Sequence, residues 1–199
     1  MDKYVENEIK IHVPDLDAVA ARLAAAGAEL VAPRVFERNV RYENADQTFS
    51  PQGIVLRLRQ DARVRLTYKD PGTVKSGALE RFEAEVTVDD FDAMDVILRR
   101  LGFHPFVVYE KYRTTYRLGE AEIVLDEMPY GHFIEIEAEA SVIDATLNTL
   151  ELQDRPRILM SYLMLFARVK TALGLFCHDL TFANFDGITV PPEIFHTEA

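Results

Sequence analysis

Several residue types are scarce in this sequence, and each scarcity excludes a class of protein. A single cysteine, Cys177, stands among 199 residues, so neither an internal disulfide nor a cysteine-based metal site is expected. Tryptophan is absent, which removes the best stacking platform for the ring of thiamine, although tyrosine or phenylalanine can replace it. We find no apolar run of about twenty residues and no basic-then-apolar leader, which indicates a cytoplasmic protein with no membrane partner.

Basic residues are also fewer than acidic ones. The chain has 22 lysine and arginine residues against 33 aspartate and glutamate residues, which gives a formal net charge of -11. Non-specific binding to a nucleic-acid backbone needs a basic surface, so we expect no nucleic-acid partner. An anionic ligand would have to bind inside a local basic patch.

The composition suits one globular domain. With 48% hydrophobic residues over 199 positions, the chain can bury a core of its own. We expect a single domain over residues 1–199, with a strand-rich core at about 3–140 and a helical segment with an irregular tail at 141–199. The sequence leaves the oligomeric state open.

Charged and apolar side chains alternate along several strand-like runs. In the first run Glu6, Glu8 and Lys10 share one face, because successive side chains of a strand point to opposite sides. One such run alone is typical of a solvated face. The alternation recurs with sorted charges, acidic on the first, fifth and last strands and mainly basic between them, in runs 56–59, 63–69, 81–86, 107–117, 123–126 and 134–137. Enclosing so many ions is costly unless they are paired or bind a ligand, so the whole set predicts a site.

Two predicted helices divide the strands into similar halves. Asp15 is a suitable cap for a helix over 16–26, and Asp89 or Asp90 for a helix over 91–101, and a glycine follows each helix. The arrangement resembles a twofold internal repeat. It predicts an α+β fold, in which an eight-stranded antiparallel β-barrel carries the helices on its outside.

The last quarter of the chain is predicted to form a C-terminal helical extension. We expect a short helix over 142–152 and a longer one over 156–173, which begins at Pro156 and ends before Gly174. Tyr162 lies on the apolar stripe of the longer helix. That position indicates a core residue rather than a site residue.

Seven motifs stand in order along the chain: Glu6-x-Glu8-x-Lys10, Leu56-Arg57-Leu58-Arg59, Leu66-Thr67-Tyr68-Lys69, Arg81-x-Glu83-x-Glu85, Glu110-Lys111-Tyr112-Arg113, Leu125-Asp126-Glu127 and Phe133-Ile134-Glu135-Ile136-Glu137. Taken together, they resemble the CYTH superfamily, also called the triphosphate tunnel metalloenzymes. The resemblance covers about residues 3 to 170, and within the superfamily the chain looks most like the branch known as class IV adenylate cyclases. It implies an eight-stranded antiparallel tunnel that binds a nucleoside triphosphate or another triphosphate together with Mg²⁺ or Mn²⁺.

The residues themselves fit the chemistry of such a tunnel. Bases on adjacent strands can hold a polyphosphate by charge-assisted hydrogen bonds, and carboxylates are ligands that hard divalent cations prefer. We expect catalytic roles for Glu6, Glu8 and Lys10. The expected triphosphate-binding bases are Lys10, Arg57, Arg59, Lys69, Arg81, Lys111 and Arg113. The expected metal ligands are Glu6, Glu8, Glu135 and Glu137, with Glu83, Glu85 and Asp126 as further ligands or as groups that orient the bases.

One strand departs from the family pattern. Many members of the cyclase branch carry Gln, Asp and Tyr in the second strand, whereas this chain has Glu37, Asn39 and Arg41 on one face there. Arg41 is therefore expected to change the contacts in this part of the pocket. Elsewhere, the run 71–77 lacks the residue order of a phosphate-binding loop, and we predict a hairpin connection at the tunnel mouth.

Two reactions and a binding role remain open from the sequence. In the first, the ribose 3′ hydroxyl of ATP attacks the α-phosphorus to give cyclic AMP and pyrophosphate. In the second, water attacks a terminal phosphorus of tripolyphosphate, thiamine triphosphate or a nucleotide. A module that binds a polyphosphate or nucleotide without turnover is the third possibility. The row of carboxylates favours catalysis, because simple anion binding gains nothing from acids that repel the ligand.

Overall fold

The structure, a computed structural model, describes residues 5–195. Strands dominate this part of the chain, and all their pairings are antiparallel. An antiparallel sheet with a few helices was the predicted fold class, and this is confirmed. Within residues 5–195 the strands are β1 Val5–Val13, β2 Glu29–Glu43, β3 Val55–Gln60, β4 Val64–Lys69, β5 Thr73–Lys75, β6 Ala78–Val88, β7 His104–Leu118, β8 Ala121–Met128 and β9 Gly131–Glu137.

The strand order determines which side chains face one another. Neighbouring strands follow the order β1-β9-β8-β7-β2-β3-β4-β6-β5, and β1 also pairs with β6. Every strand of the described residues except β5 therefore has a hydrogen-bonded neighbour on both sides. Because side chains alternate along a strand, one face of each of these strands points into the space that the pairings surround.

Two helices begin where the sequence predicts suitable caps. Asp15 accepts hydrogen bonds from the backbone N–H groups of Asp17 and Ala18, and Asp90 accepts one from Ala93. The predicted helices over 16–26 and 91–101 are thus confirmed to within a residue. Within residues 5–195 the α-helices are α1 Leu16–Ala25, α2 Phe49–Gln52, α3 Phe91–Arg100, α4 Ala140–Thr149 and α5 Tyr162–Leu173.

The start of α5 was predicted wrongly. The helix begins at Tyr162 rather than at Pro156, and the hydroxyl of Ser161 caps it by accepting the N–H of Met164. The preceding residues are held by the sheet instead, since the N–H of Ile158 donates to the carbonyl oxygen of Lys10 at 2.8 Å. The predicted end is confirmed, because Gly174 follows the helix with φ at 64°.

The predicted hairpin connection at 71–77 is also present. Residues Thr73–Lys75 form β5, which pairs with β6, and Ser76 and Gly77 turn the chain with positive φ. Lys75 forms an exposed ion pair with Glu80.

Apolar side chains pack beneath the helices in separate clusters. One core cluster joins the apolar faces of β1, β8 and β9 to α1 and α4, and its centre is formed by Ile9, Ile11, Leu23, Ile123, Ile134, Ile136, Ile143 and Leu147. A second cluster packs Phe133 against α5 and the tail. In the described part of the chain, no helix has both the length and the apolar character needed to cross a membrane. The core leaves the charged strand faces directed toward a common space.

Candidate functional site

The charged strand faces line a cavity of about 730 Å³. All strands of the sheet except β5, β8 and β9 contribute basic side chains to its wall, and the acids come mainly from β1, β6 and β9. The charged lining consists of Glu6, Glu8, Lys10, Arg34, Glu37, Arg41, Arg57, Arg59, Asp61, Arg63, Arg65, Lys69, Arg81, Glu83, Glu85, Lys111, Arg113, Glu122, Glu135 and Glu137. A cavity with this lining can hold a ligand that carries both negative charge and a cation.

Asp126 organises the bases on one wall of the cavity. It is fully buried, and its carboxylate accepts hydrogen bonds from Lys111 Nζ at 3.0 Å, from Arg113 Nε at 2.7 Å and Nη2 at 2.6 Å, and from the hydroxyl of Tyr162 at 2.7 Å. Because both carboxylate oxygens are engaged, Asp126 fixes the positions of Lys111 and Arg113. It lies behind the cavity wall rather than in it.

A second network holds the two arginines of β3. Arg59 donates to Glu37 at 3.4 Å and to Glu85 at 3.2 Å, and Arg57 donates to the hydroxyls of Tyr109 at 3.2 Å and Thr67 at 3.1 Å. Glu37 is almost fully buried. Although burial opposes it, the charges of Lys111, Arg113 and Arg59 lower the pKa of Glu37 to about 2. This carboxylate is therefore ionised and orients the surrounding bases.

On β1 the acids and bases are also paired. Lys10 Nζ lies 2.8 Å from Glu135, and Arg81 donates to Glu8 at 3.1 Å. Burial opposes ionisation of Glu8, but the charges of Lys10 and Arg81 lower its pKa. Lys69 forms an ion pair with Glu83 on the neighbouring strand. The acidic and basic side chains that would contact a ligand in this region are therefore already held in place.

Glu8, Glu137 and Glu122 form a row of acids in which Glu137 lacks such compensation. In the strand register, Glu8 lies opposite Glu137, and Glu137 lies opposite Glu122, so like charges face each other across three strands. Within residues 5–195, no base lies within ion-pair distance of Glu137. Burial raises the pKa of Glu137 to about 8, and the charges of Glu6, Glu122 and Glu8 add to this effect. Burial also raises the pKa of Glu6, and the nearby Glu8 contributes.

The acid row fits a divalent cation. Among the described residues, no three acidic, histidine or cysteine side chains are gathered closely enough to hold an ion by themselves. Mg²⁺, however, commonly takes only one or two carboxylates and completes its shell with substrate phosphates and water. A cation near Glu137 would stabilise its ionised form against burial and relieve the repulsion from Glu6 and Glu122.

The pKa of Glu137 predicts a pH-dependent stability. Its folded-state pKa of about 8 exceeds the ordinary value of 4.5, so between these values the folded protein keeps a proton that the unfolded chain releases. Stability should therefore fall as pH rises through this window. We expect Glu137→Gln to melt close to the wild type near about pH 5 and higher than the wild type near about pH 8.5. A melting difference between the two proteins that stays constant with pH would contradict the assignment.

The structure brings nearly all of the sequence-predicted site residues together. Each of them lines the cavity except Asp126, which lies directly behind it. Arg41 faces inward with Glu37, as the alternation of β2 predicts.

Several residues at the site were given no role from the sequence. Glu37 and Glu122 extend inward faces that the alternation of β2 and β8 could have identified, and Tyr109 precedes Lys111 on the inward face of β7. The interpretation of Tyr162 as a core residue alone was wrong. Its ring packs in the core, but it also lines the cavity and lies 4.5 Å below the ammonium of Lys10.

Sequence comparison gives a family and two relatives. The model of the CYTH domain matches residues 5–161. A protein of Methanocaldococcus jannaschii that carries the provisional name adenylate cyclase is 29% identical over 149 residues, which cover 74% of this chain and 84% of that protein. Adenylate cyclase CyaB of Aeromonas hydrophila is 27% identical over 134 residues, which cover 66% of this chain and 67% of that protein.

Structure comparison finds the same fold in solved proteins. A protein of Vibrio parahaemolyticus, also provisionally named an adenylate cyclase, superposes with a TM-score of 0.70 at 21% identity, over 82% of this chain and 98% of that one. HpAC1 from Hippeastrum superposes with a TM-score of 0.59 at 19% identity, over 81% of this chain and 95% of that one. HpAC1 is provisionally named an adenylyl cyclase and is described as having a dominant triphosphatase activity.

Proposed function

The chain belongs to the CYTH domain family, and from this premise we propose that its cavity binds the phosphate chain of a triphosphate together with Mg²⁺ or Mn²⁺. In this proposal the strands that pair from β1 round to β6 act as a closed tunnel. The bases hold the phosphoryl groups, and the acid row holds the cation. The product is formed by cleavage of a phosphoanhydride bond.

The observation that carries the proposal is the convergence of bases from different strands on one space. Lys10, Arg57, Arg59, Lys69, Arg81, Lys111 and Arg113 all line the cavity, and each is held by an acid or hydroxyl of the protein. A linear chain of anionic phosphoryl groups can accept charge-assisted hydrogen bonds from several of these bases at once. The arginines suit bidentate contacts, whereas the lysines act as compact charges.

The acids divide into two roles. Asp126, Glu37 and Glu85 position bases through hydrogen bonds and ion pairs, so they act through those bases. Glu8 and Glu137, with Glu6 close by, would hold the divalent cation. When bound, the cation supplies charge that stabilises the phosphoryl oxygens as phosphorus is attacked.

Cyclisation of ATP is the first candidate reaction, and the names of the two relatives support it. The ribose 3′ hydroxyl loses its proton to solvent as its oxygen forms a bond to the α-phosphorus, and the bond from that phosphorus to the bridging oxygen breaks. Pyrophosphate leaves as cyclic AMP is formed. Lys10, Arg57 and Arg113 would neutralise the charge that develops on the phosphate chain.

Hydrolysis of a triphosphate is the second candidate. The activity described for HpAC1, which shares this fold, favours it. The same bases and acids serve both reactions, and only the nucleophile and the attacked phosphorus differ. A purely binding role is the least favoured, because the acid row of Glu8, Glu137 and Glu122 opposes anion binding unless a cation is present.

Product analysis tests the proposal. The protein is incubated with ATP or tripolyphosphate and Mn²⁺, with EDTA in a matched control, and the products are separated by anion-exchange chromatography. Cyclic AMP with pyrophosphate supports cyclisation, and metal-dependent orthophosphate supports hydrolysis. If neither substrate yields products with Mn²⁺ or Mg²⁺, the catalytic proposal is wrong.

A further inference from the structure

Among the partly or fully buried bases of the cavity that the structure describes, Arg41 has no carboxylate partner. Within residues 5–195, the other such bases each lie within ion-pair distance of a carboxylate, as with Lys10 and Glu135 or Arg81 and Glu8. No such carboxylate lies beside Arg41 in the described part of the chain. Keeping an unpaired cation in the wall of a cavity costs free energy unless a ligand binds and compensates its charge.

The groups around Arg41 are cationic or already engaged. Arg57 stands directly opposite in the pairing of β2 with β3, and Tyr109 is held by Arg57. Glu43, the acid on the same face of β2, accepts hydrogen bonds from the N–H groups of Phe49 and Ser50. Arg41 Nη2 donates to the carbonyl oxygen of Ile54 at 3.0 Å, and its buried Nε has no hydrogen-bond partner. Burial lowers the pKa of Arg41, and the charge of Arg57 contributes.

We propose that Arg41, with Arg57 and the hydroxyl of Tyr109, is the subsite for the unesterified terminal phosphoryl group of the triphosphate. This inference rests on the proposed function and adds a residue and an orientation to it. A terminal phosphoryl group carries more charge than a bridging or esterified one. It is therefore the part of the substrate that gains most from a guanidinium with no acid beside it.

At the other end of β2 the cavity wall is mainly apolar. Val31, Ala32, Pro33 and Val35 line the cavity there, and the one base among them, Arg34, is paired with Glu127. Arg41 lies six residues beyond Val35 on the same strand, which is roughly 20 Å at the rise of a β-strand. The free end of the phosphate chain thus binds at Arg41, and the organic part lies toward the apolar wall.

Isothermal titration tests this subsite with a ligand that is not turned over. The ligand is an ATP analogue with methylene groups at both phosphate bridges, titrated in the presence of Mn²⁺. A matched ligand carries a methyl ester on its γ-phosphoryl group and so lacks the unesterified end. Arg41→Gln should bind the first ligand about tenfold or more weakly than the wild type does. The variant and the wild type should bind the methyl ester with nearly equal affinity.

Three controls separate a binding role from a structural one. Arg41→Lys keeps the charge and should recover part of the lost affinity. Arg38→Gln removes the neighbouring arginine of β2 that does not line the cavity and should bind both ligands as the wild type does. In thermal melts without ligand, Arg41→Gln should be at least as stable as the wild type, because it relieves repulsion from Arg57.

The outcomes distinguish this inference from the proposed function. If the wild type binds neither ligand, the proposed function fails. If the wild type binds the analogue and Arg41→Gln binds it equally tightly, the subsite is wrong while the proposed function stands. An equal loss of affinity for both ligands would show that Arg41 does not select the unesterified end.

Discussion

Asp126→Ala should lower the melting temperature more than any other single change at the site. The substitution removes the carboxylate that accepts hydrogen bonds from both Lys111 and Arg113. Among the described residues, Lys111 is then left buried with only the more distant Glu37 at 3.6 Å, and half-buried Arg113 keeps only Glu135 as a close partner. Removing one partner of a buried ion pair costs roughly 3–5 kcal/mol. In a chain of this size, that loss corresponds to a melting temperature lower by roughly 6–20 °C. The measurement is a thermal melt followed by circular dichroism.

Tyr162→Phe is the matched control for this prediction. It removes only the hydroxyl that donates to Asp126 and keeps the ring in the core, so it should cost about 1 kcal/mol. If the melting temperature of Asp126→Ala is within a few degrees of that of Tyr162→Phe, Lys111 and Arg113 do not depend on Asp126 for their compensation. The assignment of Asp126 as a positioning residue would then be wrong.

Glu137→Gln should have the largest effect on activity. The substitution removes a carboxylate that would hold the cation, and loss of a metal ligand should reduce turnover by more than about 100-fold. At the same time it relieves the repulsion among Glu137, Glu8 and Glu122. The variant should therefore fold at least as stably as the wild type at about pH 8. Turnover of ATP or tripolyphosphate and a thermal melt measure the two effects on the same preparation.

Glu139→Gln provides the control for Glu137. Glu139 is exposed two residues further along the chain, and its side chain makes no cap hydrogen bond to α4. This variant should keep wild-type turnover and stability. Normal turnover in Glu137→Gln, measured across a range of Mn²⁺ concentrations, would remove Glu137 from the metal site. A large loss of stability would instead show that its main role is structural.

The sequence predicted the inward strand faces well because their signal is local. The period of two in Glu6, Glu8 and Lys10 places these side chains on one side of β1 whatever the rest of the fold does. The caps at Asp15 and Asp90 are equally local, since each depends on the first turn of its own helix.

Contacts between strands could not be derived in this way. Asp126 was expected at the metal or beside the bases, and only its position opposite Arg113 in the pairing of β7 with β8 shows that its oxygens are already occupied. The start of α5 was misplaced for a related reason. Pro156 is a common helix start, but the backbone bond from Ile158 to Lys10 keeps the chain extended until Ser161 provides a cap.

A crystal structure with the bis-methylene ATP analogue and Mn²⁺ tests the central claim most directly, because anomalous scattering locates the manganese. The account predicts the phosphate chain inside the cavity, with Arg57, Arg59 and Arg113 within hydrogen-bond distance of its oxygens and manganese between the chain and Glu137. An analogue bound outside the cavity, or a cavity that stays empty at a concentration shown by titration to saturate the protein, would contradict the account.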